Sequence, residues 1–210
     1  MHILDKIISN FINNKSLYIG EKLTMSEHMI QSAMLAEKAK CNDDLVCSCL
    51  LHDYGHFIID NPDSLVKNNK DGEHESIGYE YLKIFFNKEI VEPIKYHVIA
   101  KRYLARSKKY FDFLSEASRT SLKLQGGVLN DKESIEFKKN KYFNFLSEAS
   151  KISLKLQGGV LSDKESKKFE KKEYFKNSVL VRKFDEAAKK TNIKMKSIDS
   201  YKSLLKSKLI

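Results

Sequence analysis

The chain is predicted to be all-α, a single helical domain over residues 1–210, and three observations point there. Only two prolines, Pro62 and Pro93, and eight glycines punctuate 210 residues. Apolar residues recur at helical spacing, while the alternation of a half-buried strand is scarce. Small polar residues stand just ahead of several apolar runs, where a helix wants its N-cap. At this length one domain can bury a core that needs no staples.

The elements follow in order. The opening MHILDKIISNFINN has no basic stretch followed by a long apolar run and a small-residue cleavage site, so no signal peptide is expected. Ser26 reads as the N-cap of EHMIQSAMLAEKAK, with Met29, Ala33, Leu35 and Ala36 on or near one face. Asn42, Asp43 and Asp44 open a second helix, LVCSCLLHDYGH, expected to end at Gly55. A third is expected from His74 through Phe86 and a fourth from Val91 through Leu104. Lys176–Lys190 and Ser197–Leu209 are the remaining candidates.

One stretch occurs twice. Residues 110–139, YFDFLSEASRTSLKLQGGVLNDKESIEFKK, recur at 142–171 as YFNFLSEASKISLKLQGGVLSDKESKKFEK, identical at 23 of 30 positions with an offset of 32. A repeat architecture needs about three stacked units to bury a continuous core. Two near-identical copies, 110–141 and 142–173, therefore read as a tandem duplication inside one domain.

The bulk numbers exclude several classes. Hydrophobic residues make up 41% and charged residues 31%, a globular balance rather than a disordered one. No apolar run approaches the roughly 20 residues needed to cross a bilayer, so no membrane partner is expected. The net charge of +10 comes from lysines of the second half interspersed with acids. No helix-turn-helix, zinc-finger or RNA-binding signature accompanies them, so they read as solvated helix faces and not as a nucleic-acid surface. The three cysteines, Cys41, Cys47 and Cys49, form no disulfide framework or zinc-ligand spacing. Cys47 and Cys49 are expected as small hydrophobes in a buried helix, which fits a cytoplasmic, reducing compartment.

The chemistry is concentrated in five of the six histidines: His28, His52 and His56 within LLHDYGH, His74, and His97. A lone histidine on an apolar face is ordinarily a hydrogen-bonded core residue, but this set is not one histidine. Asp53 follows His52 in an apolar segment, CSCLLHD, where an unpartnered carboxylate would be costly to bury. A metal is the natural partner. Imidazole and carboxylate without thiolate suit iron, manganese or zinc, and paired ions suit redox or hydrolytic work.

The ordered pattern H…HD…H…H…D resembles the HD-domain superfamily, whose fold is a helical bundle around one or two metal ions. More narrowly the chain is similar to its mixed-valent di-iron oxygenase branch, typified by 2-amino-1-hydroxyethylphosphonate dioxygenase. The matching segments are YIGEKLTMSEHMIQSAMLAE, LLHDYGH, GEHESIG, HVIAKRYL, LSEAS with LQGG, and the closing RKFDEAAK. The resemblance implies that His28, His52, Asp53 and Asp185 hold one iron, and that His74 and His97 hold another with Asp53 bridging. It implies that Tyr18 occupies an iron position until substrate displaces it, and that Glu21 meets a substrate ammonium group. His56, Lys101, Arg182 and a serine pair would bind the phosphonate of a small anionic substrate. That pair is Ser118 with Ser121 in the first copy, or Ser150 with Ser153 in the second. The implied activity uses dioxygen to cleave the carbon–phosphorus bond of a 1-hydroxyphosphonate, releasing phosphate and a carboxylic acid, in a monomer or homodimer.

The chain departs from the family in carrying two LSEAS…LQGG units. Ser118 sits at about the family distance from Lys101, and Ser150 at about the family distance from Arg182 and Asp185. Two other functions compete: a metal-dependent HD phosphohydrolase acting on a nucleotide or phosphomonoester, and a remodelled HD protein that only binds. Tyr18, Glu21 and HVIAKRYL favour the oxygenase over the first, and retention of all six ligands argues against the second.

Overall fold

The computed structural model describes residues 2–18, 22–59, 73–104 and 160–210. Helix α1 (Ile3–Asn13) is one that capping signals did not mark, but its stripe is plain: Leu4, Ile7, Ile8 and Phe11 are its buried face. Helix α2 (Met25–Lys38) starts two residues ahead of expectation. Thr24, not Ser26, is the N-cap: its side chain accepts from the Glu27 amide, and Glu27 accepts from the Thr24 amide, a reciprocal capping box. Ser26 instead donates to the Phe11 carbonyl at 2.8 Å and ties α2 to the end of α1.

Helix α3 (Asp43–Leu51) begins on Asn42 as expected, yet stops short of Gly55. His52 and Asp53 therefore sit past the helix end and not inside it. The His52 ring Nδ1 donates to the Cys49 carbonyl at 2.8 Å, and the chain then tightens into a 3-10 turn at Tyr54–Phe57. Cys47 and Cys49 are fully buried free thiols.

Helix α4 (His74–Leu82) ends four residues before the expected Phe86, and α5 (Lys88–Leu104) starts a turn before Val91. Pro93 inside α5 leaves the Glu89 carbonyl without its intrahelical donor. One residue on, the Ile90 carbonyl accepts from the Ser48 hydroxyl of α3 at 2.8 Å. Helices α6 (Asp163–Glu170) and α7 (Phe175–Ala187) follow, then a 3-10 turn at Ile198–Tyr201 and α8 (Lys202–Ser207).

Helices α2, α3, α5 and α7 pack on one another as a bundle, α4 lies against α5, and α1 and α8 cover one end. Met29, Leu50, Leu51, Ile90, Ile94 and Val181 are buried where they meet. Among the described residues there are helices and two isolated β-bridges but no strand, so the all-α class stands.

A smaller apolar cluster belongs to the second repeat copy. Leu161 and Phe169 bury against Ala100, flanked by Tyr96, Ile99, Tyr103, Phe175 and Val179. A Ser162–Glu165 capping box starts α6, and the Tyr103 hydroxyl donates to Glu170 at 2.8 Å. The first copy, and the second up to Gly159, lie outside the described residues.

Candidate metal centre

Six side chains from five elements converge at the centre of the bundle, all nearly free of solvent: His28 (α2), His52 and Asp53 (after α3), His74 (α4), His97 (α5) and Asp185 (α7). Asp53 stands between two pairs of rings. Its Oδ2 faces His28 Nε2 at 3.7 Å and His52 Nε2 at 3.4 Å. Its Oδ1 faces His74 Nε2 at 3.2 Å and His97 Nε2 at 3.5 Å. Asp185 Oδ1 closes the first group, 3.2 Å from His28 Nε2 and 3.8 Å from His52 Nε2. His28, His52 and Asp53 form one potential ion-binding set, and Asp53, His74 and His97 a second.

The far sides of the rings show which nitrogen is free to act as a ligand. Nδ1 of His28 donates to the Ala188 carbonyl, that of His52 to Cys49, and that of His97 to Ile94, at 2.7 to 2.8 Å. A carbonyl can only accept, so each Nδ1 carries a proton and Nε2 is the lone-pair atom of the neutral ring. His28 and His52 then point Nε2 at Nε2 across 3.2 Å, and His74 and His97 do the same across 3.2 Å. Facing lone pairs repel unless a proton or cation lies between them. Asp185 Oδ1 is buried with no hydrogen-bond donor, although buried acceptors are ordinarily satisfied. Nitrogen and carboxylate donors, with no sulfur among them, fit a pair of ions such as iron.

Without ions the charges lean on protons. Burial alone would depress His52, but Asp53, then Asp185 and the Cys49 carbonyl, outweigh it and raise its pKa to about 9. Burial opposes ionisation of Asp53 and Asp185 as well. His52 and its neighbouring rings hold Asp53 far below the usual carboxylate range, and Arg182 with His28 does so for Asp185.

The approach of α4 to the Asp53 turn depends on two glycines. A Cβ on Gly55 would stand 1.9 Å from the His74 carbonyl oxygen, and one on Gly78 would stand 3.1 Å from the Gly55 nitrogen. Glu73 enters α4 in the left-handed region at φ 45° and turns His74 onto Asp53. On the opposite side, Gln31 bonds the Lys190 carbonyl and amide at 2.7 and 3.1 Å, which fixes the end of α7 beside His28.

A cavity of about 30 Å³ opens next to these donors, lined by Tyr18, Met25, Asp53, His56, His74, His97, Val98, Lys101, Arg182 and Asp185. Tyr18, His56, Lys101 and Arg182 thus stand together, although 164 residues of sequence separate the first from the last. The Tyr18 ring stacks on His28 with centroids 4.0 Å apart; burial and the Asp185 and Asp53 charges raise its pKa well above the usual phenol value. The His56 ring stacks on His74 at 4.3 Å, and burial followed by the His74 charge lowers its pKa to about 3. Burial, then Arg182, lowers Lys101 to about 7. Glu21, Ser118, Ser121, Ser150 and Ser153 lie outside the described residues.

Four neighbours were not foreseen. Met25 and Val98 line the cavity, and no polar signal marks them. Glu186 and Lys189 are near-buried charges whose side chains meet at 2.9 Å; the i, i+4 spacing of Glu186 from Arg182 and the i, i+3 spacing of Lys189 from Glu186 were the available signal.

The comparisons agree with this geometry. The HD domain model matches residues 25–124, which hold every candidate ligand except Asp185. A [1-hydroxy-2-(trimethylamino)ethyl]phosphonate dioxygenase (glycine-betaine-forming) of Leisingera caerulea is 45% identical over 124 residues, 59% of this chain and 63% of the relative. A hydroxymethylphosphonate dioxygenase of Gimesia maris is 41% identical over 127 residues, 59% of this chain and 62% of the relative. The chain thus spans a little over six-tenths of the length of these relatives. With its ligand pattern, helical bundle and buried histidine–aspartate cluster, the chain is similar to the HD domain over residues 25–124.

Proposed function

We propose that the chain is a di-iron oxygenase that uses dioxygen to cleave the carbon–phosphorus bond of a small 1-hydroxyphosphonate. The observation that carries this is Asp53, one carboxylate shared by two histidine pairs beside a cavity lined by Tyr18, Lys101 and Arg182. The names of the two relatives support the substrate class. Two iron ions, held by His28, His52, Asp53 and Asp185 and by Asp53, His74 and His97, would supply the redox chemistry with dioxygen.

The chain's own residues bind and orient. Lys101 and Arg182 offer positive charge at one cavity, and a phosphonate dianion placed there would relieve the burial cost that depresses Lys101. His56 stays neutral at physiological pH, so it contributes a hydrogen bond and not a charge. Tyr18, stacked on His28, occupies the wall that a hydroxyl-bearing carbon would approach. Glu21 is proposed to meet a substrate ammonium group, and a serine pair from one LSEAS copy to bind the phosphonate. The reaction balances as hydroxyphosphonate plus dioxygen giving carboxylate and phosphate, which together hold two more oxygen atoms than the substrate.

The test is direct. Iron-loaded protein is given hydroxymethylphosphonate, 2-amino-1-hydroxyethylphosphonate or its trimethylammonio analogue, and phosphate release and dioxygen uptake are followed together. Equal molar amounts are expected with at least one substrate. Dioxygen-independent phosphate release from phosphomonoesters, with no uptake on any hydroxyphosphonate, would assign the chain to the hydrolases instead.

A further inference from the structure

On α7, Arg182, Asp185 and Glu186 follow the i, i+3, i+4 spacing that puts side chains on one helix face, and Lys189 follows just past the end of the helix. All four are nearly excluded from solvent, and their contacts run in a line. Arg182 places one terminal nitrogen on Asp185 Oδ2 and the other on Glu186 Oε2. The same Glu186 oxygen accepts from Lys189 Nζ at 2.9 Å. Lys189 Nζ in turn stands 5.7 Å from the centroid of the Tyr18 ring.

The fork has a consequence for Asp185. A carboxylate can rotate to present either oxygen, but Arg182 occupies Oδ2, and Oδ1 is left facing His28 and His52. Glu186, at the next position along the helix, holds the other terminal nitrogen of the Arg182 guanidinium in that pose. A guanidinium spanning two carboxylates is also less free to turn toward an anion in the cavity. We propose that Glu186 is a positioning residue: through Arg182 it orients Asp185 for the ion at His28 and His52, and through Lys189 it reaches the ring of Tyr18. This rests on the two-ion reading above and adds an asymmetry to it. Only one of the two ion sites, the one containing Asp185, depends on Glu186.

The test is stepwise titration of the metal-free protein with cobalt(II), followed by its visible spectrum, which needs no turnover. In the parent, two equivalents are expected to bind. In Glu186→Gln, which keeps the shape and removes the charge, one equivalent should weaken by about 10- to 100-fold and change its spectrum, the usual effect of losing an outer partner of a ligand. The other equivalent should bind as in the parent. Should Glu186→Gln fail to fold, Arg182→Lys carries the same test, because an ammonium cannot span two carboxylates in a fixed fork. Two equivalents bound as in the parent, or both weakened equally, would overturn the inference while leaving the two-ion centre standing. A parent that binds fewer than two equivalents overturns both.

Discussion

Asp53 is the residue on which the centre turns, because each of its oxygens faces a different histidine pair. Replacing it with asparagine keeps the volume but removes the charge that both pairs share. Asp53→Asn is therefore expected to lose both ions, measured as metal content after dialysis, and about 3–5 kcal/mol of stability from the uncompensated buried groups, measured by denaturant unfolding. The protonation of His52 gives a second expectation. Its pKa in the metal-free fold is about 9, above the ordinary imidazole value, and an ion must displace that proton. Apparent affinity at the His28–His52 site should then rise about tenfold per pH unit between roughly 6.5 and 9 and level off above, with proton release seen in calorimetry in two buffers. A pH-independent affinity would refute the protonated state. Tyr18→Phe removes only a hydroxyl from a ring packed on His28. It should keep both ions and its melting temperature, while the metal spectrum on adding a hydroxyphosphonate should change differently from the parent's.

At the scale of elements, two contacts decide how much of the bundle reaches the centre. The turn after α3 meets α4 through Gly55 and Gly78 with no room for a methyl group on Gly55. Gly55→Ala should cost about 3 kcal/mol or more by forcing α4 and His74 away from Asp53. For a chain this size that is a fall of roughly 6–12 °C in melting temperature, read by calorimetry. Gly78→Ala, whose nearest atom is 3.1 Å away, should cost less. The second contact is α6 on α5. Phe169 is buried there among Tyr96, Tyr103 and Phe175, so Phe169→Ala should cost about 3–5 kcal/mol. Its counterpart in the first copy is Phe137, outside the described residues, while the α5 face at Ala100 is covered by Phe169. Phe137→Ala should accordingly stay within about 0.5 kcal/mol of the parent, and equal losses at both positions would show that the two copies share the work.

For the whole molecule the duplication is the open variable. The tail of the second copy lies on α5 and leads directly into α7, which brings Arg182 and Asp185 to the centre. Deleting the 32 residues from Tyr110 through Lys141 leaves that tail and all six candidate ligands in place, and a shorter connection costs little loop entropy. The deletion variant should fold and bind two metal equivalents, checked by circular dichroism and metal analysis. An insoluble or metal-free product would make the first copy part of the fold. Much of this molecule was legible in its sequence. Its helical class followed from spacing and the scarcity of glycine and proline, which are local or compositional properties, and the six candidate ligands from an ordered pattern that resembles the HD domain. The helix boundaries at Thr24 and Leu51 were not, because a capping box and a side chain bonding its own turn compete with simpler end signals. Nor was α1 marked, whose amphipathic stripe lacks a conventional N-cap. The sharing of Asp53 between two ring pairs, and the line from Asp185 through Arg182 and Glu186 to Lys189, required the tertiary structure. Such distances depend on how helices remote in sequence close on one another, and the 1.9 Å allowance at Gly55 is a property of that closure and not of any segment alone.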